Sequence, residues 1–171
     1  MPRILAYRGV RPRLADDVFV APGACVIGDV EIGASSSIWF GCVVRGDVNH
    51  VRIGARSNLQ DGTIVHVTHD GNPTLVGDEV TVGHGCILHA CTLDDRAFVG
   101  MDATLLDGSR VETDAMLAAG ALLTPGKCVP SGELWAGRPA RLLRELRPGE
   151  IVAFAERNAL YVKLAAEYRT A

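Results

Sequence analysis

An aliphatic residue returns at every sixth position over most of this chain. One run is Val20, Val26, Ile32, Ile38 and Val44; a second is Ile53, Leu59 and Val65; a third is Val76, Val82 and Leu88. After a one-residue slip the series resumes at Leu93 and passes through Val99, Leu105, Val111, Leu117, Leu123 and Val129 to Trp135. Glycine often follows the aliphatic, as at Gly33, Gly54, Gly77, Gly83 and Gly100. Four positions after the aliphatic the residue is small or β-branched: Ala24, Ser36, Cys42, Ser57, Thr63, Cys86, Thr92, Ala103 and Ala121 are examples. A bulky group does not fit a tight corner, so each hexad reads as one short strand and one corner. Three hexads make a triangular turn, and turns stack at the inter-strand spacing of about 4.8 Å. The expected fold class is all-β: a left-handed parallel β-helix of hexapeptide repeats, with a C-terminal α-helix.

The breaks in the period carry information of their own. Val44 to Ile53 spans nine positions and Val65 to Val76 spans eleven. Extra residues in a solenoid are extruded on one face, often the binding face. Both insertions are therefore expected to leave the coil as loops, the second through the turn-rich run His69-Asp70-Gly71-Asn72-Pro73. The repeat ends at Ala136-Gly137-Arg138-Pro139-Ala140, which predicts a β-helix domain over residues 1–140. From about Gly149 to Arg169 the apolar period becomes helical, with Ile151, Phe154, Ala155, Asn158, Tyr161, Val162, Ala165 and Tyr168 on one stripe. Residues 141–171 are thus expected to be a helix that packs back along the β-helix and helps to cap its open end.

Composition narrows the functional classes. The chain has 171 residues, enough for one domain with a proper core. Its 17 basic and 20 acidic residues give a net charge of −3 with no basic run, which argues against nucleic acid as a partner. No apolar stretch approaches the roughly 20 residues needed to span a bilayer, and Met1-Pro2-Arg3 leads into no apolar signal segment. No membrane partner is expected, and the location expected is cytoplasmic. The five cysteines are odd in number and form no C-x-x-C pair, consistent with buried reduced thiols.

The repeat allows the histidines to be placed. The hexads of Val44, Val65 and Leu88 fall on one face in successive coils, so Arg45, His66 and His89 form one outward column. His66 and His89 are about one coil apart, close enough to share an ion. His84 follows Val82 on a neighbouring face, with Gln60 and Asp61 beneath it. Three neutral imidazoles around a divalent ion leave a fourth position open, the arrangement of a catalytic rather than a structural zinc. Both sets reach one ion only where two copies of the chain meet. Packing one face against the next face of a neighbour, three times round, closes a ring. The spacing therefore predicts a homotrimer with its sites between subunits. His50 has no such partner and reads as structural. His69 is either a solvated loop residue or a proton relay.

The segments Arg45-Gly46-Asp47-Val48-Asn49, Asn58-Leu59-Gln60-Asp61-Gly62, Val65-His66-Val67-Thr68-His69, Gly83-His84-Gly85-Cys86-Ile87-Leu88-His89 and Trp135-Ala136-Gly137-Arg138-Pro139-Ala140 together resemble the gamma class of carbonic anhydrases, in its short bacterial branch. The resemblance covers essentially the whole chain. It implies zinc, or else iron or cobalt, on His66, His84 and His89 at trimer interfaces. It also implies reversible hydration of carbon dioxide to bicarbonate by a zinc-activated hydroxide. Arg45 and Asp61 would form an ion pair between subunits, with Asp47 in the same polar set. Gln60 and Asn58 would contact the activated water or orient substrate, and the family's helix tyrosine corresponds to Tyr161. The family's well-characterised archetype carries a glutamate where Val48 stands, and an acidic loop that supplies another; the loop after His66 here is short, and its only acid is Asp70. Two other readings belong to different classes: a hexapeptide acyltransferase or acyl-coenzyme A thioesterase, and a metal-binding trimer with weak catalysis. The acyltransferases use one histidine beside a pantetheine groove and need no cluster of three.

Overall fold

The structure, a computed structural model, describes residues 1–170. It is a parallel β-helix of about seven turns followed by one helix. The three faces are read directly from strand pairing. On the first, Val44 sits on Val65, Val65 on Leu88, Leu88 on Leu105, and Leu105 on Leu123. On the second, Ile32 is followed by Ile53, Val76, Leu93, Val111 and Val129. On the third, Val20 is followed by Ile38, Leu59, Val82, Val99, Leu117 and Trp135. The repeat aliphatics from Val26 to Val129 are buried, and Leu59, Val65, Leu88, Leu105 and Leu123 are wholly inaccessible. Removing that much apolar surface from water is the main term holding the coil together. At the slip between Leu88 and Leu93 the buried corner residue is Cys91, while Thr92 lies half-buried in a strand.

The two insertions behave differently. Val43–Ile53 does not leave the coil as a loop; it is one strand of 11 residues running over two faces. Its pairing with Cys25–Ile32 slips between Gly28 and Val30, because Asp47, Val48, Asn49 and His50 bulge out opposite Asp29. Gly28, at φ 78°, has the Gly46 carbonyl where a Cβ would stand, so the backbones close up beside the bulge and aim Asp47 outward. The second insertion leaves the ladder as expected, between Ile64–His66 and Thr74–Val76.

The C-terminal part also departs from expectation. Residues 141–145 are not helical. Arg141–Glu145 is a strand antiparallel to Glu133–Ala136, and this strand, rather than the helix, covers the last open edge. An unpaired edge exposes N–H and C=O groups that the next segment of chain satisfies at once. The helix is Pro148–Thr170, with Pro148 at its start, where no N–H is needed, and Glu150 bonded to the backbone N–H of Arg147. It lies along the third face: Phe154 stacks on Phe98, Tyr161 meets Trp39 edge-on, and Tyr168 packs against Phe19 and Trp39. Asn158 and Ala165 are its buried residues; Ala155 and Tyr168, on the expected stripe, keep substantial exposure. No helix of the described residues is long and apolar enough to cross a membrane.

Leu105 is wholly buried between Leu88 and Leu123. Leu105→Ala is expected to lower unfolding stability by about 2–5 kcal/mol, measured by denaturant titration at fixed protein concentration. A change below about 0.5 kcal/mol would mean that the stacked column is not the principal core.

Candidate functional site

The first face brings His66 and His89 into direct register, one coil apart, with ring centroids 5.3 Å apart. Arg45 stands one coil below His66 on the same strand stack. Its guanidinium bonds Asp47, and the other oxygen of Asp47 meets His66 Nε2 at 3.0 Å. Burial pushes the Asp47 carboxyl up, but the bonds from Arg45 and His66 outweigh it and hold the group below the usual carboxylate range.

His84 lies elsewhere. Backbone bonds stack the corner residues Phe40, Asp61, His84 and Met101 in one column between the third face and the first. His84 Nδ1 meets Asp61 Oδ2 at 2.7 Å, one coil below. Within one chain Arg45 therefore pairs with Asp47, and Asp61 with His84. Among the described residues of a single chain, no three histidine, cysteine, aspartate or glutamate side chains converge to hold a metal ion.

Gln60 and Asn58 are buried on the third face, side by side. Gln60 Nε2 donates to Asn58 Oδ1 at 3.1 Å, and Asn58 Nδ2 donates to Thr81 Oγ1 at 3.0 Å. From the helix, the buried Asn158 donates to the same Thr81 hydroxyl at 3.4 Å. Gln60, His84 and Tyr161 line one groove of about 420 Å³, with Phe98, Met101 and Leu160 forming its apolar wall. Burial pushes the Tyr161 hydroxyl up in pKa, which keeps it a neutral donor. His69 stands apart, exposed in the loop, with its Nδ1 2.8 Å from the carboxylate of its neighbour Asp70. His50 is half-buried and lines a different pocket, with Tyr7, Arg8 and Asn49.

Three participants were missed by sequence reasoning. Asp107 Oδ1 lies 2.7 Å from His89 Nδ1, and its other oxygen accepts from the Thr68 hydroxyl. The Thr68 bond first, and then His89, hold this carboxyl below its ordinary range against the opposing push of burial. Asp107 is eighteen residues beyond His89, but the slip before Leu93 shortens that coil to seventeen, so the count sets Leu106 over His89 and gives no sign of Asp107. Asn158 was placed on the helix stripe only as an apolar-face residue; a polar side chain there is itself the sign of a buried partner. The thiols take no part: burial pushes Cys42 and Cys86 up to about 11 and Cys91 to about 12, far from reactive thiolates.

No family model matches the chain. Curated relatives do. It is 53% identical over 159 residues to the mitochondrial gamma carbonic anhydrase 2 of Arabidopsis thaliana, over 90% of the chain but 57% of that protein, so it spans little more than half the plant protein's length. It is 39% identical over 166 residues to a carbonic anhydrase of Geobacillus kaustophilus, covering 97% of the chain and 91% of that protein. A solved hexapeptide transferase family protein from Anaplasma phagocytophilum superposes with a TM-score of 0.94 at 47% identity, over 97% of this chain and 98% of that one.

A carboxyl with a lowered folded pKa adds stability that is present above its unfolded pKa, about 3.9, and is lost as pH falls through the folded value. Asp47→Asn is thus expected to lower stability at neutral pH. The gap from the parent should close as the pH drops below about 4. Denaturant midpoints across an acid series measure this; a gap that stays constant to the lowest pH would place the effect of Asp47 elsewhere than in its charge.

Proposed function

Because the chain belongs to the gamma carbonic anhydrase family, we propose that it catalyses reversible hydration of carbon dioxide to bicarbonate, as a homotrimer holding zinc between neighbouring chains. The observation that carries this reading is the registered pair His66 and His89, with His84 of the same chain in the corner column between the third face and the first. Two imidazoles at 5.3 Å between centroids suit one shared ion, and an all-nitrogen donor set suits zinc, with iron or cobalt as alternatives. The surface character supports an interface at this corner. Phe40, Ile64, Ile87 and Met101 are 37%, 45%, 40% and 55% exposed around the histidines. The second face instead carries exposed ion pairs such as Arg110 with Asp94 at 2.8 Å. Apolar side chains in a contiguous exposed patch are what a second copy covers.

Zinc, when bound, would supply the Lewis acidity that lowers the ionisation of water to about 7. The chain's own residues do the rest. Gln60 commits its amide N–H to Asn58, which leaves its carbonyl oxygen to accept from a water in the groove. That bond fixes the nucleophile, whose oxygen lone pair attacks the carbon of carbon dioxide as one C=O pair moves onto oxygen. The apolar wall of Phe98, Met101 and Leu160 suits an uncharged linear substrate. The Arg45 charge favours the anionic product nearby. A proton must then leave, and His69 with Asp70 is the titratable pair that the loop offers.

Stopped-flow hydration on protein of measured zinc content tests the reading. Turnover that follows zinc is expected. Turnover of acetyl-coenzyme A by metal-free protein, without hydration, would replace it with the acyltransferase reading. Because Val48 stands where the family's archetype has a glutamate, kcat is expected to rise with added imidazole buffer while kcat/KM stays flat. A kcat already independent of buffer would reveal a relay other than His69.

Arg45 and Asp61 lie on the two surfaces that would meet. Arg45→Ala or Asp61→Ala is expected to shift the trimer toward smaller species, since a desolvated pair that loses one partner costs roughly 3–5 kcal/mol. Light scattering over a dilution series reads this out. Unchanged size at high dilution would show that the two do not pair across the interface.

A further inference from the structure

The loop between His66 and Thr74 is held at two levels. From the coil below, Asn49 Nδ2 donates to the carbonyls of Thr68 at 3.2 Å and Gly71 at 2.9 Å. From the coil above, Asp107 accepts from the Thr68 hydroxyl. Gly108 gives the loop room there, since a Cβ on it would stand 3.1 Å from the Asn72 amide. Asp107 is also the group on His89, with Oδ1 at 2.7 Å from Nδ1. One carboxylate thus has one oxygen on an imidazole of the site and the other on the loop that follows the second imidazole.

We propose that Asp107 is a positioning residue of the metal centre: it holds His89 with Nδ1 protonated and Nε2 free to bind an ion, and through Thr68 it fastens the 67–73 loop to that same imidazole. An imidazole in water prefers no such fixed orientation, and a carboxylate on one ring nitrogen selects the tautomer and raises the basicity of the other. The two oxygens couple the halves: a loop that swings away removes one donor from Asp107 and loosens its hold on His89. Arg45 and Asp47 serve His66 from below, so the column of histidines is held from both ends by carboxylates.

This inference rests on the zinc reading above, and one of its tests does not need it. In metal-free protein, nitrogen chemical shifts of His89 at mildly alkaline pH should report the Nδ1-protonated tautomer in the parent. The Nε2-protonated form should dominate in Asp107→Ala. The second test is zinc affinity by chelator competition. Asp107→Ala is expected to weaken it about 10–100-fold, with size and circular dichroism unchanged. Asp107→Asn should fall between the two, since its carbonyl oxygen still accepts from Nδ1–H. Thr68→Val should leave the tautomer in place and speed amide hydrogen exchange over residues 67–73. A His89 tautomer unmoved by Asp107→Ala, or zinc affinity unchanged in a parent that binds zinc, overturns the assignment. A parent with the expected tautomer but no zinc would overturn the metal reading and leave Asp107 as an orienter of His89.

Discussion

Everything in this molecule depends on the vertical stacking of inward aliphatic side chains. Val44, Val65, Leu88, Leu105 and Leu123 stand over one another in successive coils, wholly buried. Because that inner column cannot slip without exposing its apolar surface, the outward residue after each aliphatic is fixed as well. Arg45, His66 and His89 are brought together by a packing constraint that involves none of them. The site is thereby cheap to vary: imidazoles on the outer surface add little to the coil, and the coil holds them whether or not they bind anything.

The same constraint explains what could be read from the sequence. Counting hexads is enough to assign faces, so the His66–His89 register, the different position of His84 and the Gln60–Asp61 level beneath it follow from arithmetic. The C-terminal helix was also legible, since its period of 3.6 differs from that of the coil. What arithmetic does not supply is hydrogen bonding across coils. Across the slip the count sets Leu106, not Asp107, over His89, and the bonds of Asp107 to His89 and Thr68 depend on a loop whose path the repeat does not govern. Asn158 was counted as part of a stripe; its bond to Thr81 depends on how the helix sits on the third face.

Two departures have backbone causes. The extra residues after Val44 stay in a strand because Gly28 and Gly46 let neighbouring coils close up and a bulge absorbs the surplus opposite Asp29. The Arg141–Glu145 strand forms because the last coil would otherwise leave an open edge, and an antiparallel return is the nearest way to satisfy it. Neither is visible in hydrophobic period alone. Both concern where backbone N–H and C=O groups find partners, which the side-chain pattern records only indirectly.

The central claim is that each metal centre is divided between two chains, with His66 and His89 from one and His84 from the next. Mixing tests it directly. His84→Ala and His89→Ala proteins are prepared separately, each expected to lose zinc and hydration activity, and are then unfolded and refolded together in equal amounts. In a closed ring of three, every mixed trimer contains one junction with an intact histidine set. Random assembly therefore predicts zinc and activity at about a quarter of the parent level. A mixture as inactive and metal-free as its components, or components that each keep their full zinc, would contradict the account.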